Sequence, residues 1–543
     1  MIFLPISLAD FAVEYKRINR LPVWGFYKAR RAIFTKKDYN CQMLNDDKVF
    51  LKNSFLANIS VNIIILLGLI IAAIQFYLNR SIWIDEAVIA LNINHRSPLG
   101  LLKPLDYNGV APVLFLEMEH FFAKLFPNIE YGLRIFPFMC YLGALYFFFK
   151  LVKEILEDKL LIIFALSLFL FNPTFVYYSS EIKQYIGDVM VTCALLYFFF
   201  KKYNNSQNKY LILAIAGLIA VFLSNVAPII LFTIGIYLLY DNLLDKKNLI
   251  ATLSLFFFWG VVMLTYFILF IYNHPTKDKM VDYWLHTYSF MPVSLSAGTF
   301  VLRKFYDIFF FLFYFGKIIG CGLVILFITG IICLIITKRF KIAALIFIPF
   351  ATHLVLSAFK LYPFETRLYL YLTPILIIIC AFGVDLFYKT IARRFRVNKA
   401  FLLVISFFIP IALLRIIVIH PLPIIQHEDF RTSIDFINKK SKKRDNIYVA
   451  VSGELPFTYY KEMGYIKNDP MVIYGKYSSL IAGETKQNVI DLTDSGERVW
   501  VLFHDNGMQE EGVAVKMLKA KGYIKTEAFT SLYHTNAFLY KKP

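Results

Sequence analysis

Residues 55–86 read FLANISVNIIILLGLIIAAIQFYLNRSIWIDE. From Phe55 to Asn79 no residue is charged, and this run exceeds the ~20 residues an α-helix needs to cross a bilayer. The chain then turns polar, with Asp85 and Glu86 side by side. A membrane span that delivers two adjacent acids to the membrane surface sets the reading of everything that follows, because similar apolar runs recur. They lie at 55–78, 135–153, 160–178, 184–200, 210–223, 227–244, 249–272, 308–336, 341–358, 367–388 and 400–419. The expected fold is therefore an α-helical polytopic membrane protein of about eleven spans. The run at 210–223 is short, and that at 308–336 is long enough to tilt or bend.

Composition agrees. Of 543 residues, 58% are hydrophobic and 18% aromatic, and only 17% are charged, against roughly 25% in ordinary soluble domains. Mean hydropathy is +0.59. A soluble chain this apolar could not cover its surface with polar groups, which excludes a soluble enzyme, a disordered chain and a disulfide-stapled secreted domain. Cys41 lies in the N-terminal segment and the other five cysteines fall inside apolar runs, where they read as small apolar fillers rather than a disulfide or metal framework. His274, His286, His353 and His420 form no spaced metal motif.

The net charge is +19, and the tail from position 420 carries 17 basic and 15 acidic residues, so nearly all the excess belongs to the apolar part. It sits in short loops between apolar runs, which points to membrane topology and anionic lipid rather than to nucleic acid. The basic loops hold Lys201, Lys202 and Lys209; Lys246 and Lys247; Lys338, Arg339 and Lys341; and Lys389, Arg393, Arg394, Arg396 and Lys399. Placed in the cytoplasm, they orient the chain with the basic segment 1–54 inside and the tail outside. The first apolar run starts too far in for a cleavable signal and reads as a start-transfer helix. Three parts are expected: a cytoplasmic segment 1–54, a transmembrane domain 55–419 with a long first outside loop at 79–134, and an extracytoplasmic domain 420–543. That last domain alternates helix and strand, with helices at 429–442, 456–463 and 510–521, strands at 446–451, 471–474 and 498–503, and a hairpin around 528–541. It reads as a small α/β fold without a GxGxxG or P-loop.

Three polar stretches fall on the outside. The first is Trp83-Ile84-Asp85-Glu86, followed by His95, Asp106-Tyr107-Asn108, Ala111-Pro112 and Leu133-Arg134. The second, 177–188, reads YYSSEIKQYIGD and the third, 360–369, reads KLYPFETRLY. Carboxylates beside a bilayer are costly without a role or a partner, and a carboxylate can take the proton of a hydroxyl. A guanidinium pairs bidentately with phosphate.

The order of these elements resembles the GT-C superfamily of polytopic glycosyltransferases, which includes protein O-mannosyltransferases and bacterial aminoarabinose transferases that use polyprenyl-phosphate sugars. The resemblance is carried by the acidic pair Asp85-Glu86, by Ala111-Pro112, by Leu133-Arg134 entering the second span, and by the Ser180, Glu181, Lys183 and Tyr185 turn. It implies an enzyme of the inner, cytoplasmic membrane that transfers a sugar from a polyprenyl phosphate to a hydroxyl of a cell-envelope acceptor, with inversion. Asp85 is then the expected base and Glu86 an orienting acid. Lys183, Glu181, Tyr185, Arg367 and Arg303 (with Lys304 in reserve) are expected around the donor, and His95, Asp106 and Asn108 on the acceptor side. Two carboxylates leave a divalent cation, Mg or Mn, open. The competing readings are a transporter or flippase of lipid-linked sugars, which calls for charges buried mid-helix and broken helices, and a non-catalytic envelope assembly subunit.

Overall fold

The computed structural model describes residues 55–203, 208–272, 274–312, 316–395, 427–443, 445–475, 497–504, 508–533 and 535–543. The expected segment 1–54 and the last expected span, 400–419, lie outside the described residues. Residues 61–543 form one compact unit.

Each apolar run up to 388 falls on helix. The helices are α1 (Phe55–Tyr77), α2 (Ile84–His95), α3 (Val113–Leu125), α4 (Ile129–Ile155), α5 (Lys159–Leu170), α6 (Tyr185–Tyr203), α7 (Lys209–Leu223), α8 (Ala227–Asn242), α9 (Lys246–Tyr266), α10 (Lys277–His286), α11 (Ala297–Asp307), α12 (Gly316–Ile336), α13 (Phe340–Ala358) and α14 (Thr373–Phe395). Among the described residues, six helices are long and apolar enough to cross a bilayer, namely α1, α4, α9 with its π-helical continuation, α12, α13 and the Leu370–Ile391 stretch. Helices α5, α7 and α8, of 12, 15 and 16 residues, are apolar but shorter than a full crossing. The chain is a multi-span helical membrane protein carrying a mixed β-sheet domain.

Local chemistry explains the boundaries. The run at 160–178 breaks because the Asn172 side chain accepts from the N–H groups of Thr174 and Phe175, and Pro173 opens a fresh short helix, Pro173–Tyr178. Helix α4 starts earlier than the apolar pattern suggests, because Asn128 accepts from the N–H groups of Glu130 and Tyr131. That early start places Arg134 inside the helix. A Cβ on Gly132 would meet the Phe122 carbonyl oxygen at 2.7 Å, so only glycine lets α4 lie this close to α3. The run at 308–336 divides into a π-helical turn, Ile308–Leu312, and α12. Helices α12 and α14 pack backbone to backbone, since a Cβ on Gly330 or Gly383 would collide with a carbonyl of the other helix.

The tail forms a five-stranded sheet in the order β2-β1-β3-β5-β4, from β1 (Asn446–Val449), β2 (Met471–Tyr474), β3 (Arg498–His504), β4 (Ile524–Thr530) and β5 (Thr535–Lys541). Strand β1 runs parallel to β2 and β3, and β5 antiparallel to β3 and β4. Alternation sorts its side chains onto two faces. Tyr448, Val499 and Val501 pack with Ala514 and Leu518 of α17 (Met508–Ala520). The opposite face, Ile447, Val449, Trp500 and Leu502, packs with α15 (Phe430–Lys440) and α16 (Glu454–Glu462). The same apolar cluster continues into Ile82, Ala87, Leu91, Leu133 and Ile182. The tail domain thus shares a core with the first long loop.

Candidate active site

Helix α2 begins at a joint. Trp83 is extended, and the next residues open the helix, with Asp85 and Glu86 in its first turn. Consecutive residues on an α-helix point about 100° apart, so the two carboxylates meet different surroundings. Glu86 turns inward and is fully buried. Its Oε1 accepts from Arg134 at 2.8 Å, Arg80 at 3.0 Å and the Ile182 N–H at 3.0 Å, while Oε2 accepts from Arg134 at 3.1 Å. Burial alone would raise its pKa, but Arg134 and Arg80 outweigh it and hold Glu86 below the usual carboxylate range. Glu86 was expected to orient the acceptor; instead its oxygens are engaged inside the protein, where it organises two arginines.

Glu181 has a similar place. Expected around the donor, it is buried, ion-paired with Arg80 and accepting from the Trp83 indole N–H at 2.9 Å. The Arg80 guanidinium lies 4.4 Å from the centre of the Tyr177 ring. Sequence reading passed over Arg80. The available signal was a charge lodged between a span and an acidic pair.

Asp85 takes the other direction. It is ion-paired with Arg367, and the two side chains are 28% and 23% exposed. Burial would raise the Asp85 pKa, but Lys183 and then Arg367 outweigh it and keep Asp85 ionised. Lys183 is buried and its pKa is lowered, by burial first and by the repulsion of Arg367, against the pull of Asp85. The Arg367 guanidinium lies 5.3 Å from the Trp284 ring and 6.0 Å from the Tyr185 ring. Tyr185, expected around the donor, is buried and packs edge-on against Tyr178 at 5.2 Å, so it lines the cradle of Arg367.

A second cluster adjoins on 289–366. Lys304 Nζ is 2.7 Å from Glu365 Oε2, which also accepts from Ser289 Oγ at 2.8 Å; Thr366 donates to Oε1 through its N–H at 3.0 Å and its hydroxyl at 2.7 Å. Burial opposes the charge of Glu365, yet the Lys304 and Thr366 hydrogen bonds bring its pKa from 4.5 down to about 2. A lowered folded-state pKa stabilises fully above pH 4.5 and ceases to do so as pH falls through about 2. In detergent melts, the Tm gap between wild type and Glu365→Gln is therefore expected to narrow between pH 4.5 and pH 2. A gap constant over that range would contradict the pairing. Lys304 is the buried member of its helix turn, whereas Arg303, expected near the donor, is exposed.

The residues expected on the acceptor side lie at the end of α2 and in the loop that follows it. His95 and Asn94 reach Glu462 of α16, at 2.8 and 3.3 Å. Asp106 pairs with Arg96 at 2.8 Å. Asn108 has a φ of 57°, in the left-handed turn that leads to Gly109. A cavity of about 280 Å³ lies beside this turn, lined by residues 101–105, 109–111, Val113, Leu116, Leu269, Phe270 and His274. A second, apolar cavity of about 150 Å³ lies among Phe305, Phe309, Phe327, Phe350 and Leu376. Neither cavity is lined by Asp85 or Arg367.

The tail domain supplies groups that sequence reading did not find. Arg431 is ion-paired with Glu130 and donates to the Asn79 carbonyl at 2.7 Å. Tyr460 Oη accepts from the Ile82 N–H at 2.8 Å. His427 stacks on Trp83 with ring centres 4.3 Å apart, and Glu428 accepts from the Ile84 N–H at 3.2 Å. These residues are more than 300 positions from their partners, so no local spacing could flag them. Among the described residues no three His, Cys, Asp or Glu side chains gather so as to hold a metal ion. Asp85 itself faces two cations, Lys183 and Arg367, a setting that does not fit a divalent metal.

No family model matches the chain, and no curated protein matches it. Among solved structures, the chain is similar to the crystal structure of ArnT from Cupriavidus metallidurans bound to undecaprenyl phosphate, at a TM-score of 0.45 and 10% identity, covering 88% of this chain and 97% of that one. The apo crystal structure of the same ArnT gives a TM-score of 0.44 and 11% identity over the same shares of the two chains.

Proposed function

We propose that the chain is a GT-C glycosyltransferase that moves a sugar from a polyprenyl phosphate to a hydroxyl of a cell-envelope acceptor, on the extracytoplasmic face of the cytoplasmic membrane. The observation that carries this reading is the meeting of Asp85, Lys183 and Arg367. They come from three stretches far apart in sequence, and the Asp85–Arg367 pair keeps a partly open side.

The leaving group is a lipid phosphate, already a good anion, which needs positive charge more than a strong acid. Arg367 and Lys183 supply it. At rest, Arg367 holds Asp85 as its counter-ion and keeps that carboxylate a poor base. When the donor phosphate takes up the guanidinium, Asp85 loses its cation and becomes basic enough to accept a proton. Donor binding therefore arms the base. The acceptor oxygen then bonds to the anomeric carbon, the carbon–phosphate oxygen bond breaks, the electron pair leaves with the polyprenyl phosphate, and the hydroxyl proton passes to Asp85. A single displacement inverts the anomeric centre.

The direct test is binding of undecaprenyl phosphate to the purified full-length protein in detergent. Arg367→Ala is expected to weaken it about tenfold or more, the scale of a lost charge-assisted hydrogen bond. An unchanged Kd would remove Arg367 from the donor site and with it this reading.

A further inference from the structure

Two residues at the start of the tail domain, His427 and Glu428, lie against the first turn of α2. The Glu428 carboxylate accepts from the Ile84 N–H at 3.2 Å, one residue before Asp85. The His427 ring lies flat on Trp83, the residue before Ile84, at 4.3 Å, and meets Tyr177 edge-on at 5.5 Å. Ser81 and Ile82 are held by Tyr460 of the same domain, at 3.2 and 2.8 Å. The segment that aims Asp85 is thus gripped by the tail at successive residues, and Glu428 is the grip nearest to Asp85.

We propose that Glu428 is a positioning residue for Asp85, acting through the first turn of α2, so that the tail domain is part of the donor-binding centre. The inference rests on the glycosyltransferase reading above. Glu428 is buried. Among the described residues, charged and titratable groups that face it include Asp85 and Glu86 from α2 and His504 from β3, whose Nδ1 is 4.0 Å from Oε1. Burial, with the repulsion of Asp85 and Glu86 added to it and the Ile84 N–H against it, lifts Glu428 from 4.5 to about 8. A raised folded-state pKa means that Glu428 costs the fold nothing below pH 4.5, costs more as pH rises, and bears the full cost of the buried charge above about 8. Ionised, Glu428 sets a further negative charge beside Asp85, where the donor phosphate must approach Arg367. Neutral, it leaves that approach open, while its carboxyl oxygen accepts from the Ile84 N–H in either state.

The experiment measures the Kd of undecaprenyl phosphate for the full-length protein at pH 6.5 and 9.5, in wild type, Glu428→Gln and Arg367→Ala. The ratio of the two wild-type values is expected to be about fivefold or more, the effect of one partly screened charge at close range. In Glu428→Gln, which stays neutral, the ratio is expected to fall to about one. A wild-type ratio near one, or a Glu428→Gln ratio equal to that of wild type, overturns the inference; the second result would assign the titration to Lys183. Arg367→Ala separates the two readings. If it binds at pH 6.5 as tightly as wild type, the phosphate site itself is misplaced. If it loses binding while Glu428→Gln keeps the wild-type ratio, only the role of Glu428 fails. Should Glu428→Gln not purify, Trp83 emission, taken as wild type minus Trp83→Phe, follows the His427 stack directly. A change centred near pH 8 supports the proposal, and a flat trace from pH 6.5 to 9.5 overturns it.

Discussion

Asp85→Asn is expected to lower sugar transfer by about a thousandfold, within the 10²–10⁴ range of a lost general base, while donor binding holds or tightens. The reason lies in the pair. Asparagine is nearly isosteric with aspartate and leaves α2 intact, but it cannot take up the acceptor's proton. It also frees Arg367 from its counter-ion, so the donor phosphate meets an unopposed guanidinium beside Lys183. The signature is a fall in kcat with no rise in the KM for donor, the opposite of the Arg367→Ala pattern. Transfer from a polyprenyl-phosphate sugar, measured in membranes with matched protein levels, checks it. Normal turnover in Asp85→Asn would take Asp85 out of the proton-accepting role.

Glu86→Ala is expected to act on folding rather than on chemistry. Arg80 and Arg134 are both buried, and Glu86 is the carboxylate that they share. Removing one partner of a buried ion pair leaves a charge uncompensated and costs about 3–5 kcal/mol. Against a typical total of about 5–15 kcal/mol, that is enough to deplete the folded protein. A steep loss of monodisperse protein and a lowered Tm are expected, and Glu86→Gln is expected to rescue little because it cannot neutralise two guanidiniums. If Glu86→Ala melts like wild type and loses only activity, Glu86 is a reacting group and its burial has been misread.

These two adjacent residues mark the boundary of what could be read in advance. The acidic pair was visible as a pair, and the convergence of its stretch with those around Lys183 and Arg367 was anticipated. Which acid would face inward was not. That depends on where α2 sits relative to Arg134, and so on Asn128 starting α4 early and on Gly132 letting it approach α3. Lys304 and Arg303 make the same point: neighbours on one helix, of which only the buried one pairs with Glu365.

The apolar helices follow from the sequence alone, because a bilayer demands long uncharged stretches and helices satisfy their own backbone groups, leaving length and charge as the deciding quantities. The strands of the tail were legible for a like reason, since alternation with period two is a local property. The make-up of the centre belongs to the tertiary structure. Ion pairs, stacks and shared burial act through space between residues as distant as Trp83 and His427 or Ile84 and Glu428, and no local pattern encodes which distant partner will arrive.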